Sequence, residues 1–143
     1  MSSSTEAGIA LYPLAERRPD LLSTGTGAPL ESLTVENLAS GTVSQADIAI
    51  SADALRLQAG VARGAGRARL AENFERGAEL VAVPDAVLLE IYELLRPGRA
   101  AGIEVLQEAA TMLRRDYGAE RVAVLVEEAA HAYQLRGLFR RRF

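Results

Sequence analysis

From Thr34 onward the apolar positions recur at spacings of three and four, and glycine or polar breaks separate the runs. Thr34 is placed to cap a short helix that stops at Gly41, a suitable left-handed residue after a helix end. Ser44 with Asp47 three residues on makes a capping-box-like start. Ser51 then caps ADALRLQAGVARGA, which ends at Gly66. In RARLAENFERGAELVA, the residues Leu70, Phe74, Ala78 and Val81 share one face, while Glu72 and Arg76 pair on another.

The stretch AELVAVPDAVLLEIYELLRP breaks its pattern at Val-Pro-Asp and restarts with a richer stripe. Pro84 fits a first helical turn, where its missing N–H costs nothing, and Asp85 meets the positive end of the helix dipole. Val87, Leu88, Ile91, Tyr92, Leu94 and Leu95 form the stripe, which ends at Pro97 and Gly98. A helix over about 101–117 aligns Ile103, Leu106, Ala110, Leu113 and Tyr117 and stops at Gly118. The last, over about 119–136, aligns Val122, Leu125, Val126, Ala129 and Tyr133 before Gly137. No segment alternates with period two, so the expected fold is all-α.

Residues 1–33 differ in kind. They hold Gly, Ser, Thr and three Pro without a sustained period, and so are expected to form an extended N-terminal arm ahead of a helical body over 34–143. Ile9, Leu11, Tyr12, Leu14, Leu21, Leu22, Leu30 and Leu33 are too many large apolar side chains for a solvated tail. Such an arm is expected to lie along a surface, its own or a partner's.

Composition narrows the function classes. The chain has 143 residues, 49% of them hydrophobic and 24% charged, which suits a folded globular chain. All 16 basic residues are Arg, dispersed among 19 acids for a net charge of −3, so no nucleic-acid footprint is expected. Without Cys there is no disulfide, thiolate metal site or Cys nucleophile. No apolar run approaches the roughly 20 residues that span a bilayer, and the N-terminus lacks the pattern of a secretory signal. The chain is expected to be soluble and cytoplasmic, with no membrane partner.

Candidate chemistry is sparse. Glu128 and His131 have the Glu-x-x-His spacing of helical di-iron sites, but such a site needs a second motif and this chain has one His. A Ser-His-Asp triad is not excluded by counting, yet no G-x-S-x-G elbow supports it. Gly25, Thr26 and Gly27 follow no strand and lack the Lys of a phosphate loop, so a flexible turn of the arm is expected. Glu72, Glu75 and Glu79 alternate with Arg69 and Arg76 and read as a charged outer face. In the tail RGLFRRRF, Phe139 and Phe143 lie among four Arg; interleaving of this kind can bind single strands or acidic lipid, but a frayed or docking tail suits its position better. No catalytic, cofactor-binding or metal residue is therefore assigned.

Three blocks are more distinctive: RPDLL at 18–22, AGRARLAEN at 65–73 and AELVAVPDAVLLEIYELLRP at 78–97. With TGTGAPLESLTVENLASGTVSQADIAIS between the first two, the chain from Tyr12 to about Leu138 resembles the small (gamma) subunit of adenosylcobalamin-dependent diol and glycerol dehydratases. The resemblance implies an assembly of two large, two medium and two small subunits. The large one would be a TIM barrel holding substrate, with cobalamin between large and medium subunits. The small subunit would be a helical body docked on the large one, with no catalytic residue and no cofactor of its own. The implied reactions are 1,2-propanediol to propionaldehyde, or glycerol to 3-hydroxypropionaldehyde, by a radical mechanism.

The chain also departs from the family. Arg99, Ala100, Ala101 and Gly102 stand where the family usually offers Ser or Thr to cap the next helix, which leaves that helix start unsupported. The leader before Tyr12 is short and polar, with no amphipathic targeting helix, so encapsulation in a bacterial microcompartment would rest on a partner subunit. The rival reading is a free-standing helical adaptor or DNA-binding regulator, suggested by the all-α pattern and the Arg-rich tail.

Overall fold

The computed structural model describes residues 8–139. Its α-helices are α1 (Leu14–Arg17), α2 (Val35–Ala39), α3 (Gln45–Ile48), α4 (Ala52–Gly64), α5 (Ala68–Leu80), α6 (Asp85–Leu94), α7 (Ile103–Tyr117) and α8 (Glu120–Leu135). Residues 8–10 are helical as well, and single 3₁₀ turns occupy Pro19–Leu21 and Leu30–Ser32. Among the described residues no strand forms beyond an isolated antiparallel bridge between Ser23 and Pro29. The fold is all-α, as the spacing of apolar positions predicts.

Helix ends follow the expected chemistry. Thr34 Oγ1 accepts from the Asn37 amide at 3.1 Å, and Ser51 Oγ accepts from the Ala54 amide at 3.3 Å, each satisfying a donor left open by the first turn. Gly118 takes the left-handed residue after α7 at φ 61°, and its amide donates to Arg114 O at 3.1 Å. Pro84 falls one place earlier than its expected position. With φ −59° and ψ 143° it is the N-cap, so Asp85 is the first helical residue. At Gly102 the missing side-chain cap delays the helix to Ile103, two residues later than the pattern suggests.

The chain divides into two compact units between Ala78 and Glu79. In the first, Ala59, Ala62 and Ala71 form a small buried cluster with Phe74 packed against it. Leu14, within the predicted arm, is 3% exposed, so this part of the arm is anchored rather than free. The second unit has the larger core, built from Val83 and Ile91, then Leu106, Ala110 and Leu113 of α7, then Val122, Ala123, Val126 and Ala130 of α8. Tyr133 fixes the far end of α8 by donating from its hydroxyl to Leu95 O at 2.5 Å. Phe139 packs on this core and meets Tyr133 edge-on at 6.2 Å between ring centroids. It is therefore not part of a frayed tail, and the rest of the tail, 140–143, lies outside the described residues.

Several stripe assignments need correction, for one shared reason. Val81, Leu70, Tyr92 and Leu125 are 46%, 38%, 69% and 42% exposed. Ile91 and Val126 of the same stripes are buried as expected, and Ala71, outside the stripe of α5, is buried in place of Leu70. One residue shifts a helical position by about 100°, enough to turn an inward side chain outward. Alanines hold many inward positions here, because a small side chain lets two helices approach while keeping the interior filled. The stripes keep Ala78 and Ala110 but, drawn mainly through larger residues, miss Ala71, Ala109, Ala123 and Ala130.

Candidate functional site

The polar groups that the sequence offers as chemistry are separated by the fold. Glu128 and His131 are both exposed, on the α8 face that also carries Val124 and Leu135. Among the described residues no three His, Cys, Asp or Glu side chains come together as a metal group would require. A corrinoid needs a broad apolar slot that buries most of its surface. The one imidazole of this chain stands on an exposed face of α8 near Glu127 and Glu128, and such a polar, solvated position does not fit that need.

The three glutamates of α5 also diverge. Glu72 makes a loose pair with Arg76 at 3.8 Å, whereas Glu75 Oε1 accepts from Arg63 Nη2 at 2.7 Å across to α4. Glu79 is no part of a charged outer face. Its two carboxylate oxygens accept from the Arg121 and Val122 amides at 3.1 and 3.0 Å, capping α8. Ala119 at that helix start has no side-chain acceptor, so an acid from elsewhere takes the open donors and complements the dipole. Caps of this kind contribute about 0.5–2 kcal/mol. The missing local cap after Gly118 was the available signal; which acid would fill it was not legible.

A second unforeseen arrangement concerns Gly25, Thr26 and Gly27. The turn is tied down rather than flexible. Asp47, at 9% exposure, accepts from the Thr24 hydroxyl at 3.2 Å and from the Thr26 hydroxyl, and its other oxygen accepts from the Ser44 amide and hydroxyl at 2.8 Å each. A Cβ at Gly25 would lie 2.2 Å from Ala46 O, so only glycine allows this approach. The Thr26 hydroxyl first, then the Ser44 amide and hydroxyl, hold the Asp47 carboxyl down to about 2 from an ordinary 3.8.

The pH consequence has a definite sign. A depressed native pKa stabilises the fold above the unfolded value of 3.8, and that contribution is lost as pH falls through about 2. Carbon-detected NMR titration should give a midpoint near 2 for Asp47, and hydrogen-exchange protection of residues 24–28 should decline over the same interval. An ordinary carboxylate midpoint would show that the hydroxyls do not hold it.

Surface shape is more informative than polar chemistry. On α6, Leu89 and Tyr92 are 68% and 69% exposed, three residues apart on the side away from Ile91. In the first unit a groove of about 480 Å³ is lined by Ile9 and Tyr12 from the arm and by Val61, Leu70 and Phe74 from α4 and α5, with Arg67 also in its lining. Large contiguous apolar patches are where soluble proteins associate, while single exposed apolar residues are ordinary. No helix among the described residues is long and apolar enough to cross a membrane.

Comparison with known proteins bears on what such surfaces serve. The model of a family described as dehydratase small subunit matches residues 8–140. The propanediol dehydratase small subunit of Salmonella typhimurium is 46% identical over 131 residues, covering 92% of this chain and 75% of that protein. The propanediol dehydratase small subunit of Citrobacter freundii is 46% identical over 132 residues, covering 92% and 76%.

Proposed function

The chain belongs to the dehydratase small-subunit family, and on that footing we propose that it is the non-catalytic small subunit of a diol dehydratase acting on 1,2-propanediol. The reading rests above all on 46% identity, across 92% of the chain, to two proteins of that name. Its partners are a large and a medium subunit, two copies of each of the three chains making the enzyme. Adenosylcobalamin, bound by those other subunits, would supply the radical chemistry that turns 1,2-propanediol into propionaldehyde. Glycerol, giving 3-hydroxypropionaldehyde, is the second substrate we propose.

The role of this chain is to dock on the large subunit and stabilise it. The divergence of its polar groups supports that role, since Glu79 and Asp47 each serve the fold. So do the exposed apolar side chains of α6 and the groove. Residues 1–33 act in this reading as an arm lying along a surface, and 34–143 as the body. We place the enzyme in the cytoplasm, with entry into a microcompartment left to a partner subunit. The leader residues 1–7, on which the expectation about a targeting helix partly rests, lie outside the described residues. The family match favours a subunit over a free-standing adaptor or DNA-binding regulator.

Co-expression tests the role. Large and medium subunits made with this chain should give a stable complex with cobalamin-dependent dehydratase activity. Without it, most of the activity and thermal stability should be lost. Full activity and stability of the two-subunit enzyme would refute the docking role.

A further inference from the structure

We propose that the groove of the first unit receives an acidic-apolar segment of another dehydratase subunit, one large apolar side chain entering between Tyr12 and Phe74 and a neighbouring carboxylate pairing with Arg67. This rests on the docking reading above and adds which surface binds and what chemistry it binds.

The groove concentrates what an interface centre needs. Ile9, Tyr12 and Leu70 are 48%, 61% and 38% exposed, yet all line one groove of about 480 Å³. Large apolar side chains grouped in a concave site are poorly hydrated and gain by exclusion of water. Tyr and Arg are also the types that most often carry interface energy. Arg67 supplies the charge. The neighbouring arginines Arg56 and Arg63 are paired with Asp53 and Glu75 at 2.8 and 2.7 Å, whereas no acid among the described residues pairs with Arg67. An uncompensated guanidinium in an apolar lining selects a carboxylate and discriminates against basic segments.

The wall bearing Ile9 and Tyr12 is held in place. Gly8 comes so close to α4 that a Cβ there would sit 2.5 Å from Gly60 O. A side chain at position 8 would therefore push Ile9 and Tyr12 away from α4 without replacing any side chain of the groove. The site depends on this backbone contact, which gives a test that changes the identity of no groove side chain.

The measurement uses the full chain binding to co-expressed large and medium subunits, with affinity read by titration at low and high salt. Arg67→Glu and Leu70→Asp alter exposed side chains, so circular dichroism and melting of the chain should be unchanged, while affinity falls about tenfold or more. Arg67→Gln should weaken binding less and flatten its salt dependence. Gly8→Val should behave like Leu70→Asp. A photoreactive phenylalanine at position 70 should crosslink to a partner segment holding a large apolar residue beside Asp or Glu. If the wild type assembles while all these variants bind as it does, or if the crosslink joins a basic segment or a second copy of this chain, the groove assignment fails and the docking role stands. If the wild type does not assemble, both fail.

Discussion

Replacing Ile91 with Asp is expected to unfold the second unit, whereas the same change at Leu89, two residues earlier, leaves the fold intact. Ile91 is 6% exposed within the core formed with Leu106, Leu113 and Val126. An isolated carboxylate there either stays charged without a partner or takes up a proton at a large cost, and either route removes about 3–5 kcal/mol. Domains of this size have about 5–15 kcal/mol in hand, so the variant should melt far below the wild type or fail to accumulate. Leu89 is 68% exposed, and Asp there exchanges one solvated side chain for another. Thermal melting followed by circular dichroism separates the two. A soluble Ile91→Asp chain with a wild-type melting curve would mean that α6 turns a different face inward. Co-purification then adds a second reading: lost binding of folded Leu89→Asp to the other subunits would place the outer face of α6 in the interface as well.

The break at Val-Pro-Asp gains its meaning from this contrast. Pro84 ends the preceding segment as an N-cap, and Val83 just before it is buried at 4% while Asp85 opens α6. The turn therefore sets which side of the apolar stripe meets the core. Leu88, beside Ile91 on the helix, is only partly buried against that core and should tolerate a polar change better than Ile91 does.

Element type was legible because it depends on local signals. Thr34, Ser51 and Gly118 stand at helix ends for reasons confined to a few residues, and each does there what its chemistry requires. Partnership over a distance was not legible. Nothing near Glu79 announces that it caps a helix beginning 41 residues later at Glu120, and its neighbours Glu72 and Glu75 look the same in sequence. Likewise Thr24 and Thr26 read as turn residues until Asp47 folds onto them. The family was legible for a different reason, since RPDLL and AGRARLAEN are particular strings rather than patterns of hydrophobicity. They point to function without saying which residues touch a partner. Of the groove, Leu70 and Phe74 were visible as one helical face, but the lining residues Ile9 and Tyr12 come from the arm, where no period places them.

The same limit bears on the interior of the α7–α8 pair, where Leu113→Ala and Leu125→Ala should part sharply. Both leucines sit on apolar stripes at helical spacing, and sequence alone ranks them equally. Leu113 is fully buried, between the core alanines of α7 and the start of α8, where its carbonyl accepts from the Ala119 amide at 3.1 Å. Its truncation removes transfer energy and leaves a void that the surrounding alanines, already as small as they can usefully be, cannot fill. The expected loss is about 2–5 kcal/mol. Leu125 is 42% exposed, one position before the buried Val126, and its truncation should change stability by no more than about 0.5 kcal/mol. Urea unfolding of the two variants decides the matter through the midpoint at constant slope. Equal losses would mean that α8 is rotated by one residue from the packing described. A large loss at Leu113 alone is the result expected if Val122, Ala123, Val126 and Ala130, not Leu125, form the inner face of α8.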